Sequence, residues 1–468
     1  MELKTLFKRL AQETRVNPYL SCEERQQTLQ QLKQLLQKNA IELAQAVNED
    51  FSHRAYQETL LLEIFPSINA IDYCLKNLKR WMKIRKKPVL WLFKPASAYV
   101  FPQPLGVIGV MVPWNYPLYL ALVPLVYALA AGNRVMIKIS EQTPKTGERL
   151  ARLFNQEGIE ASLVTIVNGD TEVAKKFANL PFNHLLFTGS TAVGREIMAT
   201  AAKSLTPVTL ELGGKSPVII SSSVNPNYFS RLFMGKLYNA GQTCLAPDYL
   251  LVPKGWEARI ETFCKEFMAK HYPDLESNPD YSCLISAQHK ERLQSYIDDA
   301  QDQNGHVIQI GKFESQKQKM PFYMVLNVKS SMLLMQEEIF GPILPVISYE
   351  SFDEAVDFIN ERPNPLVIYY FGEDKQERKA LEIKTLSGAL TINDTLTHIA
   401  IDALPFGGIG ESGIGHYHGQ EGFERFSKLK PVFSQRRFAA ITWFYPPYGK
   451  VIRYFLTWVA GMDLREKK

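Results

Sequence analysis

The sequence predicts an α/β protein: a doubly wound parallel sheet preceded by a helical layer and followed by a second α/β unit. Three observations carry that prediction. Short apolar runs alternate with helix-length segments from Gly106 onward, glycine-bearing loops fall at the ends of those runs, and a leucine-periodic region precedes them. A chain of 468 residues, 46% hydrophobic and 22% charged, is long enough for two or three domains with sizeable cores.

From about Leu6 to Met82 the pattern is helical, because runs such as Arg25 to Leu36 set leucines three and four residues apart on one face. This is a scaffold layer. The runs Val107–Val112, Val135–Ile139, Leu163–Val167 and His184–Thr188 are predicted strands, alternating with predicted helices over Tyr116–Ala131, Thr146–Asn155, Glu172–Ala178 and Ala192–Ala202. Strands each followed by a helix require a parallel sheet covered on both faces, and ligands of such sheets lie beyond the carboxyl ends of the strands. From Ser216 to about Ile392 strands and helices recur as a second α/β unit.

The formal net charge of +5 is small for this length and forms no long block, which disfavours nucleic acid as a partner. The basic, aromatic stretches Lys79–Pro88 and Arg436–Trp458 read as solvated faces or packed connectors. Five cysteines (22, 74, 244, 264 and 283), odd in number and without a Cys-x-x-Cys pair, argue against a disulfide framework and against zinc. The N-terminus is amphipathic rather than a charged stub leading into an apolar run, so a cytoplasmic location is expected. Val451–Ala460 is apolar and aromatic yet too short to span a bilayer. It suits covering a pocket mouth, docking on a partner subunit or a peripheral membrane contact.

The residue types that carry chemistry gather in loops. After the His184–Thr188 strand, Gly189-Ser190 and Gly194 open a helix whose free amides and dipole favour a phosphate, although the spacing is not Gly-x-Gly-x-x-Gly. Lys138, Ser140 and Glu141 end another strand where ribose hydroxyls would need partners. Glu211 stands inside an apolar strand ahead of Gly213-Gly214, where burial raises a carboxyl toward general-base range. Glu337-Glu338 precede the Gly341-Pro342 turn. Cys244, between a helix over Tyr228–Ala240 and a strand at Tyr249–Val252, is ambiguous alone, since free cysteine mostly behaves as a small hydrophobe. His416 and His418 have metal-compatible spacing but no third ligand, so no metal is assigned.

Several stretches jointly resemble the aldehyde dehydrogenase superfamily: Val112-Pro-Trp114-Asn115-Tyr116-Pro117, Phe187-Thr-Gly189-Ser190 with Gly194, Leu210-Glu211-Leu-Gly-Gly-Lys215, Gly241-Gln-Thr-Cys244, Glu337-Glu338-Ile-Phe340-Gly341-Pro342 and Leu404-Pro-Phe-Gly-Gly408. Asn393-Asp-Thr395, Gly415-His-Tyr-His-Gly419 and Tyr445-Pro-Pro-Tyr-Gly449 are similar to the class-three branch, with its fatty aldehyde and coniferyl aldehyde dehydrogenases. The resemblance implies a dinucleotide-binding unit over 1–82 and 103–211, a catalytic unit over 212–392, a return segment over 393–425, and a bridging and oligomerisation element over 83–102 and 426–468.

It also implies roles. Cys244 corresponds to the nucleophile, Asn115 to the oxyanion donor and Glu211 to the carboxylate that activates water, with Glu338 a further candidate base. Lys138 and Glu141 correspond to ribose contacts, Gly189, Ser190 and Gly194 to the pyrophosphate turn, and Glu338 with Phe340 to the nicotinamide-ribose side. NAD is the expected cofactor, with NADP as alternative, because Glu141 would repel a 2′-phosphate; Ile139 stands where the family has proline. The expected reaction is oxidation of an apolar aldehyde, medium- or long-chain or aromatic such as coniferyl, to the acid through a thioester in a homodimer. Two alternatives stand beside it: a relative that passes the acyl group to coenzyme A, which a water-activating Glu211 disfavours, and a non-catalytic binding protein. The aromatic tail around Trp443, Tyr445, Phe455 and Trp458 is expected to cover or widen the substrate funnel.

Overall fold

The computed structural model describes residues 2–156, 158–311, 313 and 318–464. Its centre is a six-stranded sheet in the order Gly413–Ile414, Val208–Leu212, His184–Gly189, Val107–Met111, Arg134–Lys138, Val164–Val167, parallel except for the two-residue edge strand. The chain winds outward from Val107–Met111 in one direction, then returns to lay His184–Gly189 on its other side. The order therefore reverses between these two strands, and a crevice opens at their carboxyl ends.

Why the strands form there is written in their side chains. Val107–Met111 and Arg134–Lys138 are buried at every position, as strands covered on both faces must be. The helix Tyr119–Ala130 is buried on all sides and carries no charge. Removing one such Leu or Val from water is worth about 1.5–3 kcal/mol. The helix begins at Tyr119 rather than at Tyr116 as expected, because Pro117 disfavours helical backbone in the residue before it.

The leucine-rich helix Cys22–Asp50 and the helix Phe65–Trp81 form the N-terminal layer, with a π-helical turn at Leu60–Ile64 between them. Asp50 joins this layer to the sheet domain by accepting from the backbone N–H groups of Lys145 and Thr146 and from the Thr146 hydroxyl, at 2.7–2.9 Å. A second sheet has seven strands in the order His306–Ile310, Phe322–Leu326, Ile343–Tyr349, Tyr249–Pro253, Pro217–Ile220, Val367–Phe371, Ala389–Ile392, parallel except at the first edge.

A separate antiparallel sheet joins Arg85–Lys87, Ser97–Pro104 and Ser427–Ser434. The C-terminal tail docks here: Phe455 packs on Trp91 and Phe444, with ring centroids 6.1 and 4.8 Å apart. The tail is expected to cover the substrate funnel; among the described residues Phe455 packs beside the small sheet instead, while Trp443, Tyr445 and Trp458 remain largely exposed. Residues 465–468 of the expected bridging element lie outside the described residues. Among the described residues no helix is long and apolar enough to cross a membrane.

Candidate active site

The strand-order reversal brings the loop after Met111 beside the loop after Gly189. A cavity of about 410 Å³ lies between them, and Asn115, Gly189, Ser190 and Glu211 line it from the first sheet. Cys244, Glu338 and Phe340 line it from the side of the second sheet. A second cavity, of about 240 Å³, opens on the other side of Cys244 between apolar residues that include Leu62, Phe65, Leu120 and Ile399. Cys244 lines both cavities. Cys244 thus joins a cleft rich in polar side chains to an apolar chamber.

The loop carrying Cys244 is sharply turned. The helix Phe229–Leu237 ends earlier than expected, because Asn239, Ala240 and Gly241 adopt left-handed conformations with φ of 52°, 51° and 78°. A Cβ on Gly241 would strike the backbone carbonyl of Gly341, so this glycine lets the cysteine loop and the Glu338 loop touch. Gln242 locks the turn: its side-chain amide donates to the carbonyls of Asn239 and Cys283 at 2.9 and 3.1 Å and accepts from the N–H of Ile285 at 2.9 Å.

Glu211 pairs in register with Thr188 on one side and Gly413 on the other. It is 3% exposed, and neither carboxylate oxygen has a hydrogen-bond partner among the described residues. Burial holds its carboxyl well above the ordinary range, opposed only by Arg425. Burial, then the nearby Asp248, pushes Glu338 up to about 8. Burial, with Glu338 and Glu211 adding to it, pushes the Cys244 thiol up to about 12. Three acids in one pocket each resist ionisation, because burial and the charge that each would add oppose the charged form of the others.

The Glu338 loop is held from three sides. Arg292 donates to the carbonyls of Glu338 and Ile339 at 3.2 and 2.6 Å, and Asp248 accepts the Ile339 N–H at 2.9 Å. Lys215 pairs with Asp248 and donates to the carbonyls of Leu334 and Glu337 at 2.7 and 2.9 Å. Glu337 and Glu338 both line the cleft, and the Glu337 carboxylate accepts from Tyr296 at 2.5 Å. Gly213 is glycine because a Cβ there would collide with the Glu338 carboxylate. Phe340 stacks edge-on to Trp114, centroids 5.3 Å apart, and His289 packs on both rings. Sequence reasoning missed His289 and Arg292, since on a helix they look like ordinary surface polar residues.

Other sequence-nominated residues take different places. Lys138 is buried at its strand end, donates to the Ile139 carbonyl at 2.7 Å and stands 3.8 Å from the half-exposed Glu141. Ser190 caps the helix Thr191–Ala202, accepting from the Val193 N–H at 3.4 Å. Gly194 does not line the cleft; a side chain there would press into Leu212, so it brings helix against strand. The turn at Gly189 and the helix N-terminus at Ser190 and Thr191 line the cleft and suit a dinucleotide's phosphates, whereas Lys138 and Glu141 stand at a neighbouring strand end and are not among its lining residues. His418 is fully buried between the rings of Tyr127 and Phe406, and burial pushes it down to about 3, so it is a packed neutral ring.

Residues 10–432 match the model of the aldehyde dehydrogenase family. A probable coniferyl aldehyde dehydrogenase of Pseudomonas aeruginosa is 49% identical over 460 residues, covering 97% of this chain and 95% of that protein. Aldehyde dehydrogenase family 3 member A2 of Pongo abelii is 37% identical over 429 residues, covering 90% and 87%. Among solved structures, the substrate-bound state of Staphylococcus aureus AldH superimposes with a TM-score of 0.92 at 33% identity, covering 98% of this chain and 100% of that one. With a family match across most of its length and relatives this similar, the chain belongs to the aldehyde dehydrogenase family, as an oxidoreductase of the class-three branch that converts aldehydes to acids.

Proposed function

We propose that this chain oxidises apolar aldehydes, medium- or long-chain aliphatic or aromatic such as coniferyl aldehyde, with NAD as acceptor and Cys244 as the covalent nucleophile. One observation carries the proposal: Cys244 lies where the polar cleft meets the apolar chamber. An aldehyde entering through the chamber reaches the sulfur with its hydrocarbon on Leu62, Phe65 and Ile399 and its carbonyl toward Asn115.

The thiol gives its proton to a neighbouring carboxylate, and the thiolate forms a bond to the carbonyl carbon. The displaced electron pair settles on oxygen. There the Asn115 amide and the Cys244 backbone N–H hold it, each donor worth on the order of 3 kcal/mol in the transition state. When bound, the nicotinamide supplies the hydride acceptor that turns this adduct into a thioester. Glu211, unpartnered and buried, then takes a proton from water; the hydroxide adds to the thioester, and the thiolate leaves as the acid departs. Glu338 is the proton acceptor for the thiol, since at about 8 it exchanges protons near neutrality.

The cofactor would lie over Gly189 and Ser190 with its ribose toward Lys138 and Glu141. The carboxylate of Glu141 supports NAD over NADP by repelling a 2′-phosphate. We take residues 1–82 with 103–211 as the cofactor unit, 212–392 as the catalytic unit, 393–425 as the segment returning to the cofactor unit, and 83–102 with 426–468 as the bridging element of a homodimer. Five cysteines without a disulfide suit a reducing compartment, and the cytoplasm is the proposed location.

The test is a panel of aldehydes of graded length plus coniferyl aldehyde, each with NAD and with NADP, followed by absorbance of the reduced cofactor. Highest kcat/KM on apolar substrates with NAD is expected. A preference for short polar aldehydes would sink the substrate assignment, and acyl-CoA formed faster than acid when coenzyme A is present would replace hydrolysis with acyl transfer.

A further inference from the structure

Three segments far apart in sequence meet at the main chain of Asn115. Arg54, from the N-terminal layer, is fully buried and donates through Nη1 to Glu63 Oε1 at 3.0 Å and to the Asn115 carbonyl at 3.1 Å. The same carbonyl accepts from Nδ2 of Asn239, in the cysteine loop, at 3.0 Å. Glu58, 3.5 Å from Arg54 Nε, accepts the Asn239 backbone N–H at 2.6 Å. Glu63 uses its other oxygen to accept the N–H groups of Leu118 and Tyr119 at 2.8 and 3.0 Å, fixing the chain just after Asn115.

A second route runs through Tyr116. Its ring lies 4.7 Å from the Arg54 guanidinium carbon, and its hydroxyl is 2.8 Å from Oγ1 of Thr243, the residue before Cys244. Arg54 therefore reaches both the Asn115 segment and the cysteine loop, along two paths. A buried cation between two buried carboxylates is a weak source of stability, because desolvating the charges offsets their attraction. What such a network does well is fix distances, since each partner tolerates little displacement before a buried charge is left unpaired.

We propose that Arg54, with Glu58 and Glu63, is a positioning residue that sets the geometry between the Asn115 oxyanion donor and the Cys244 nucleophile. This rests on the roles assigned to Asn115 and Cys244 above. A misplacement of about 1 Å costs on the order of a hundredfold in rate. Arg25 offers an internal contrast: it is equally buried and donates to the carbonyls of Leu20 and Ala130 at 2.9 and 3.0 Å, but no residue of the cleft is among its partners.

The experiment compares Arg54→Met, Arg54→Lys, the charge-free triple variant Arg54→Met/Glu58→Gln/Glu63→Gln, Asn239→Ala and Arg25→Met, with Asn115→Ala and Cys244→Ala as references. Each is measured for kcat, KM for NAD, hydrolysis of a p-nitrophenyl ester and Tm. Arg54→Met and the triple variant should lose kcat by on the order of tenfold to a hundredfold with KM for NAD unchanged. Ester hydrolysis should fall in parallel, because it builds the same oxyanion without hydride transfer. Arg54→Lys should recover part of the loss, and Arg25→Met should lower Tm while keeping kcat. Should Arg54→Met fail to fold, the triple variant decides; should that fail too, Asn239→Ala decides, since it removes only the amide grip. A folded deciding variant with wild-type kcat overturns the proposal, as does a kcat loss that Arg25→Met matches at equal Tm. Wild-type ester hydrolysis in Asn115→Ala would instead overturn the role given to Asn115.

Discussion

The polar cleft and the apolar chamber share Cys244 and are built differently. The cleft is made largely of loops that carry short runs of glycine, carboxylate or amide, with His289 and Arg292 added from a helix. The chamber is made mainly of apolar and aromatic side chains from residues 61–66, 116–120 and 395–400, and only Tyr116, Thr243, Cys244 and Thr395 among its lining residues come from the quoted runs. The difference teaches where specificity is encoded. Chemistry needs particular functional groups at particular points, while an apolar wall needs only volume and shape.

The contrast can be broken most severely at the shared residue. Cys244→Ala is expected to remove aldehyde oxidation by at least about four orders of magnitude, read as the rate of cofactor reduction. Activity near wild type would mean that the two cavities do not share a nucleophile at all.

On the cleft side, Glu211→Gln should lower kcat by on the order of a hundredfold while leaving the first-turnover burst of reduced cofactor intact, because in the proposed reaction only thioester hydrolysis uses this base. A lost burst would move Glu211 to the acylation step.

On the chamber side, Leu62→Trp fills part of the apolar space. It should lower kcat/KM for coniferyl aldehyde by about tenfold and leave a two-carbon aldehyde nearly unaffected. Equal losses on both substrates would show that the chamber is not the aldehyde's route.

The smallest effect separates charge from shape. Burial raises Glu338 from 4.5 to about 8, so the folded chain binds more protons than the unfolded chain between those values. Stability contributed by this site is therefore lost as pH rises through that window. Tm should decline over it, and Glu338→Gln should flatten the decline; an unchanged slope would show that Glu338 ionises elsewhere on the pH scale. The acylation limb of the pH–rate profile, rising toward about 8, should disappear in the same variant.

How much was legible varies with the kind of residue. Cys244, Glu211, Asn115 and Glu338 stood in short motifs, and all four line one cleft. Gly194 was legible as a required glycine, while its place under Leu212 was visible only once helix and strand were packed. His289 and Arg292 carried no signal, because a polar residue on a helix looks the same whether it faces water or a loop 50 residues away. The aromatic tail misled, since apolar composition does not say where a segment lies, and Trp443, Tyr445 and Trp458 stay largely exposed.

The sequence by itself determined the doubly wound sheet, the family and the polar residues nominated for the cleft, because strand periodicity, turn glycines and scarce functional residues are local properties. Only the tertiary structure decided the junction of cleft and chamber at Cys244, the stacking of His418 into the core and the burial of Arg54 against Asn115. Those depend on which distant segments share a few ångströms, and that is set by packing of the whole chain rather than by any stretch of it.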